Sequence, residues 1–332
     1  MINRRNLLTK GAAIAALSIF APACSNRALR RPADRLIVDA LGAFFNPNGG
    51  PGEGPPTAEQ IAASDRRVFS EALASGLNAV NYTVGTVGAS DNAYEETLLD
   101  IEGWDRRIAE NADIAMQVRA SEDIALAQQS NRLGIIYGFQ DSIMLGDDPG
   151  RVREFADRGA RVFQLTYNLA NALGAGAMVE QDDGLTLLGR EVLEAIAETN
   201  VVADLSHSGK KTCLDAIEAA SRPLSISHTG CSELYDLPRN KTDAELRGVA
   251  ETGGFIGIYF MPFIAPNGIP TLDDVIRHIK HAYQLCGEDH VGIGSDTFTT
   301  QIEDMAGLRE GMRALQQDRF DMGIAAEGET LD

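Results

Sequence analysis

The sequence predicts a parallel (β/α)8 barrel of the α/β class. Short apolar runs alternate with longer amphipathic segments, eight strands in all. No long low-complexity linker divides the chain. Polar, chemistry-bearing residues recur just past the ends of the apolar runs, which is where barrels of this kind keep their sites. The 332 residues exceed the usual single-domain size, but such barrels reach this length as one unit, and a 44% hydrophobic content supplies a large core.

The chain starts with a targeting segment. Asn3-Arg4-Arg5-Asn6-Leu7-Leu8 carries a twin arginine, an apolar stretch runs from Gly11 to Phe20, and Ala21-Pro22-Ala23 offers a small-residue cleavage site before Cys24. Residues 1–23 therefore read as an export signal of the twin-arginine type, which places the mature protein in the periplasm or on the envelope. Cys24 stands where a lipoprotein carries its lipid, although Ala21 replaces the usual leucine. Any membrane attachment is expected through that anchor alone. Residues 24–34 form a linker, and 35–332 form a single barrel domain.

The first strand is the apolar run 36–39, followed by a Pro/Gly-rich loop between Asn46 and Pro56 and an amphipathic helix over 57–75. Strand 77–84 leads to helix 94–112. Strands 133–139, 161–166 and 201–205 follow, the last preceded by helix 190–199. Helix 210–220 separates 201–205 from strand 223–227. Helix 243–252 precedes strand 254–259, and helix 271–286 precedes strand 291–294. A final helix is expected over 304–318.

Residues just past these strands converge on one mouth: Leu41 and Ala43, Gln140 and Asp141, Tyr167 and Asn168, His207, His228 and Asp296. The chain has five histidines, and two of them end consecutive strands, in Ala203-Asp204-Leu205-Ser206-His207 and Leu224-Ser225-Ile226-Ser227-His228. One such histidine alone reads as a satisfied polar residue; two in succession, followed by Gly292-Ile293-Gly294-Ser295-Asp296, read as a site. Two imidazoles and a carboxylate suit a divalent transition metal, zinc first among them, with Asp296 as ligand and proton acceptor. Asp39 and Asp141 read first as hydrogen-bonded strand-end carboxylates and second as substitute ligands. His278 and His281, three apart on one helix, read as a solvated face, and His290, at the far end of its strand, as structural.

The net charge of −19 becomes −22 once residues 1–23, with Arg4, Arg5 and Lys10 and no acid, are removed. That balance excludes nucleic acid and anionic membrane surfaces as partners. Beyond Cys24 only Cys213, Cys231 and Cys286 remain, which make no zinc-finger pattern and at most one bridge.

These segments resemble the membrane (renal) dipeptidase family, the M19 metallopeptidases among the metallo-dependent, amidohydrolase-like TIM-type barrels. The likeness runs from about Asp34 to Thr300. It is clearest in Gly184-Leu185-Thr186-Leu187-Leu188-Gly189-Arg190-Glu191, Asp204-Leu205-Ser206-His207, Ser227-His228, Pro238-Arg239-Asn240 and His290-Val291-Gly292-Ile293-Gly294-Ser295-Asp296. The resemblance implies that His207 and His228 are the histidines of one zinc in a paired site. It makes Arg239 the group that holds the substrate carboxylate, and Asp296 the carboxylate near the metals.

The other half of the site departs from the family. Leu41 and Ala43 stand where the family has a His-x-Asp pair, and Gln140 replaces the bridging glutamate. Tyr167 replaces histidine in a Leu-Thr-His-Asn segment, so Tyr167-Asn168 become substrate-side residues. Leucine and alanine cannot ligate a metal and a neutral amide bridges two cations poorly, so one zinc is expected rather than two. The acidic run 327–332 ends the chain earlier than family members commonly end, so the sequence reads either as a fragment or as a domain shorter than its relatives.

The resemblance thus implies an exported zinc hydrolase of dipeptides or related amides, with a mononuclear site, a small carboxylate substrate and a homodimer as its assembly. The alternatives are a barrel that binds a small carboxylate without turnover, and a mononuclear-zinc esterase or lactonase.

Overall fold

The computed structural model describes residues 35–48, 58–266 and 268–321. The export signal, Cys24 and the linker lie outside the described residues. Among the described residues, no helix is long and apolar enough to cross a membrane.

Among the described residues, nine strands form one parallel sheet: β1 (Val38–Asp39), β2 (Ala79–Thr83), β3 (Ala115–Gln117), β4 (Leu133–Phe139), β5 (Ala160–Gln164), β6 (Val202–Asp204), β7 (Ser225–Thr229), β8 (Phe255–Ile258) and β9 (Val291–Ile293). Eight of them follow in the order β1-β2-β4-β5-β6-β7-β8-β9. The sheet closes where Ala40 N–H donates to Ile293 O at 3.0 Å and where Ala43 bridges Phe298 in parallel. Each of the eight runs expected from sequence is a strand of this barrel.

The ninth strand, β3, was not expected. It is three residues long and pairs only with Leu133–Ile135, the first part of β4, whose later residues pair with β5. Strand β7 lies two residues later than the predicted 223–227. Its Ser-Ile-Ser-His-Thr sequence is buried throughout, and polar side chains satisfied inside a barrel read, as sequence, like the end of a strand.

Among the described residues, nine α-helices accompany the strands: α1 (Ala58–Ala74), α2 (Ala93–Glu110), α3 (Ser121–Gln129), α4 (Arg151–Asp157), α5 (Leu187–Ala197), α6 (Lys210–Ala219), α7 (Asp243–Glu251), α8 (Leu272–Cys286) and α9 (Met305–Asp321). Their starts follow local chemistry. Thr186 caps α5 by accepting from Gly189 N–H at 2.9 Å, and Thr271 with Asp274 forms a reciprocal cap on α8.

The core is continuous from β2 to β8, with Ile135, Tyr137, Phe163, Leu205, Ile226 and Ile256 all fully buried. Close strand contact fixes some glycines. A Cβ on Gly294 would lie 1.8 Å from Ser227 O, so no side chain fits there without moving β7.

The expectation for His278 is corrected. It lies on α8 but is 1% exposed, because α8 packs that face onto the segment after β7. Its Nδ1 accepts from Cys231 N–H at 2.9 Å, and its Nε2–H donates to Ile264 O at 3.1 Å. His281 is half-buried and pairs with Asp243 at 2.6 Å. His290 Nδ1–H donates to Gly254 O at 2.8 Å, at the far end of the barrel from the mouth.

Candidate functional site

Two buried carboxylates build the mouth before any ligand chemistry is considered. Asp204, the last residue of β6, accepts from Ser206 N–H at 3.0 Å and from Ser227 N–H at 2.5 Å. It thereby ties the turn that carries His207 to the strand that carries His228. Asp39, the last residue of β1, does the same for Asp296. It accepts from Ser295 N–H at 2.7 Å, from the Ser295 hydroxyl at 2.5 Å and from Leu41 N–H at 3.2 Å.

His207 and His228 are 4% and 0% exposed, and their Nε2 atoms stand 2.9 Å apart. The network fixes their protons. His207 Nδ1–H donates to Asn168 Oδ1 at 2.5 Å, which leaves Nε2 with the lone pair. That nitrogen accepts from Arg239 Nη2 at 3.1 Å and faces His228 Nε2. His228 then carries its proton on Nε2, and the Ser227 hydroxyl donates to its Nδ1 at 2.9 Å. Burial, with the nearby Arg239 charge second, holds both imidazoles well below their ordinary range, so both are neutral. Tyr167 stacks on His207 with ring centroids 4.3 Å apart.

Arg239 is 1% exposed. Its Nη1 donates to Ser206 O at 2.5 Å, and it has no carboxylate partner among the described residues. Asp296 follows β9 with φ +52°, a left-handed backbone unusual for a residue with a side chain. Its N–H donates to Leu41 O at 2.8 Å. The residue is half-buried with its carboxyl enclosed. Burial pushes that carboxyl up to about 6, against the pull of Arg239 and Arg319.

The positions without ligands also fall at the mouth. Leu41 is 3% exposed, and Ala43 N–H donates to Thr297 O at 2.9 Å, so both line the β1–β9 closure beside Asp296. Gln140 Nε2–H donates to the Thr83 hydroxyl at 2.7 Å. Asp141 accepts from Ser142 N–H at 2.8 Å, from Gly88 N–H at 3.2 Å and from Asn171 Nδ2 at 2.8 Å. Asp39 and Asp141 are thus hydrogen-bonded strand-end carboxylates, the first of their two readings.

The imidazole pair offers two nitrogen donors to a metal. A zinc on two imidazoles at about 2.0–2.1 Å separates the nitrogens by about 3.3 Å in tetrahedral geometry, a few tenths more than the observed spacing. His228 ligates through Nε2 once its proton moves to Nδ1, where Ser227 Oγ can accept it. Among the described residues, no three His, Cys, Asp or Glu side chains gather closely enough to hold a metal. Asp296 therefore stands apart from the pair, contrary to its expected place as third ligand. Gln140, Leu41 and Ala43 offer no anionic or imidazole donor for a second ion.

Sequence reasoning missed Asp204 and Ser227 as supports of the pair. The signal was present in the Asp-x-Ser-His and Ser-His segments, which place a carboxylate and a hydroxyl beside each imidazole.

The family model of the membrane dipeptidases (peptidase family M19) matches residues 59–322. An amidohydrolase from Pseudomonas aeruginosa of known structure is 32% identical, with a TM-score of 0.70 over 82% of this chain and 76% of that one. A metallopeptidase from Rhodobacter sphaeroides, liganded with a phosphinate mimic of the dipeptide L-Ala-D-Ala, shares the fold at 20% identity. Its TM-score is 0.67, over 88% of this chain and 94% of that one. An uncharacterized dipeptidase of Schizosaccharomyces pombe is 30% identical over 171 residues, 50% of this chain; the match spans 42% of that relative's length.

Proposed function

The chain belongs to the membrane dipeptidase family, peptidase family M19, and from that membership we propose that it hydrolyses dipeptides or related small amides at a single metal position. The observation that carries this reading is the convergence of two neutral imidazole nitrogens, His207 Nε2 and His228 Nε2, at 2.9 Å. A bound zinc would polarise the scissile carbonyl and acidify a water there.

The protein's own groups supply the rest. Asn168 and Ser227 hold the two rings by their Nδ1 atoms, so the Nε2 atoms face one another; His207 Nε2 carries a lone pair as it stands, and His228 Nε2 would gain one when its proton passes to Nδ1. Arg239 binds the substrate carboxylate through its planar fork of donors. A buried guanidinium without a counter-ion is costly, and a docked carboxylate relieves that cost. Asp296, with its carboxyl raised toward neutrality, accepts and returns the proton of the hydrolytic step. Tyr167, stacked on His207, forms the apolar wall on the substrate side.

A second reading rests on one contact. Arg239 Nη2 lies 3.1 Å from His207 Nε2, and a fixed cation at a ligand nitrogen opposes a metal there. A barrel that binds a small carboxylate without turnover satisfies the same geometry.

Metal analysis and a substrate panel separate the readings. Hydrolysis requires about one zinc per chain and zinc-dependent cleavage of dipeptides that is lost in His207→Ala. Absence of both, with thermal stabilisation by a dipeptide that Arg239→Ala removes, leaves the binding reading. Cleavage of esters or lactones and not amides would reassign the substrate. Export through residues 1–23, lipid attachment at Cys24 and a homodimeric assembly belong to the same proposal; cell fractionation, lipid labelling of Cys24→Ser against the unaltered chain, and light scattering test them.

A further inference from the structure

A second cluster of arginines lies near the N-terminal ends of β5, β6 and β7, at the end of the barrel away from the mouth. Arg119, in the turn between β3 and α3, Arg161 in β5 and Arg222 before β7 line one cavity of about 390 Å3 together with Glu122, Ile136 and Asn200. Short β3 creates the space: it accompanies only the first part of β4, and β5 takes over from Tyr137 onward.

None of the three guanidiniums has an ion pair among the described residues, in a chain whose net charge is −19. Their hydrogen bonds go to neutral acceptors. Arg119 donates to Gln117 Oε1 at 2.9 Å and Asp157 O at 3.1 Å. Arg161 donates to Arg119 O at 2.6 Å, Ala156 O at 2.7 Å and Ala160 O at 2.6 Å. Arg222 donates to Ala197 O at 3.3 Å. These bonds fix the side chains and leave donors on each guanidinium unused, which is the arrangement that recognises oxyanions. Burial, and next the Arg119 charge, holds Arg161 below its ordinary range, against the opposing charges of Asp123 and Asp157.

We propose that this cavity binds a small phosphate-bearing molecule. One arginine fork satisfies the two oxygens of a carboxylate. Three guanidiniums around one cavity match the larger oxygen set and charge of a phosphate group. The volume, within the range of small-molecule sites, leaves room for an organic part against Ile136.

Calorimetric titration of inorganic pyrophosphate into the full chain at low ionic strength tests this. Saturable one-to-one binding is expected, weakened at least tenfold in R119Q/R222Q and unchanged in Arg239→Gln, which alters only the mouth. Arg161 stays intact because its three backbone bonds support the fold; an unaltered melting temperature of the anion-free double variant certifies the comparison. The proposal is overturned by any one of three results: no saturable binding, binding undiminished in the double variant, or binding lost in Arg239→Gln. Citrate binding as tight as pyrophosphate would overturn the phosphate assignment. The mouth's activity plays no part in this readout, so failure of either proposal leaves the other standing.

Discussion

Single residues at the mouth divide into those that carry chemistry and those that hold them, and the second group explains the first. Asp204 shows the division most clearly. Its two oxygens accept from two backbone amides, one in the turn after β6 and one on β7, so it fixes the distance between His207 and His228 rather than acting on a ligand. Asp204→Ala leaves two buried N–H groups without acceptors, each worth about 1–3 kcal/mol. We expect urea denaturation to show a loss of about 2–5 kcal/mol, with zinc affinity falling alongside it. A loss within about 0.5 kcal/mol, the range of ordinary surface substitutions, would remove Asp204 from this role. His207, His228 and Asp296 were picked out in the sequence because imidazoles and a carboxylate just past strand ends draw the eye, whereas Arg239, ten residues beyond β7, was singled out only through the family resemblance. The position of Asp296 relative to the imidazoles was not legible, since it depends on the left-handed backbone after β9.

At the level of elements, the segment between β5 and α5 decides how the imidazole pair is presented. It carries Tyr167 and Asn168, then turns back so that Gly176 pairs with Ser208 in an antiparallel bridge and Ala177 N–H donates to His207 O at 2.8 Å. The return passes so close that a Cβ on Gly176 would lie 2.0 Å from Tyr167 O and 2.3 Å from the Asn168 carbonyl carbon. Backbone cannot yield as a side chain does, so Gly176→Ala must push Asn168 off His207. The expected stability loss is about 1–3 kcal/mol, as for overpacking. Loss of metal retention beyond that of a destabilising substitution remote from the mouth separates the local effect from a general one. An unchanged zinc stoichiometry and melting temperature would show that the loop does not position the ring. Such loops escape sequence reading because no periodicity marks them. The eight barrel strands were readable from their apolar runs, whereas β3 is too short and one-sided to register, and the polar strand β7 reads as if it ended early.

Across the whole molecule, the barrel and its outer helices are joined by buried polar contacts whose strength depends on pH. His278 is the clearest case, because it connects α8 to the segment after β7 through Cys231 and to the segment after β8 through Ile264. Burial pushes its imidazole down from 6.5 to about 4; Arg277 and His281 act in the same direction, while the bond to Ile264 O and the Asp274 charge oppose it. Protonation would place a proton on Nδ1, against the Cys231 N–H that donates to it, so the folded state takes up this proton later than the unfolded chain. The contribution is therefore complete above pH 6.5 and falls progressively as the pH drops toward 4. A displacement from 6.5 to about 4 corresponds to about 3 kcal/mol across the window. His207 and His228 are shifted in the same direction, whereas burial raises the carboxyls of Asp39, Asp141 and Asp296 and so acts with the opposite sign as the pH falls, and His278 must be isolated by difference. His278→Gln keeps one donor and one acceptor but does not titrate. Urea denaturation at neutral pH and near pH 4.5 should show the unaltered chain losing more stability than the variant, by about 2–3 kcal/mol. Parallel losses in the two proteins would mean that the acid sensitivity lies at the mouth and not in the seam between α8 and the barrel.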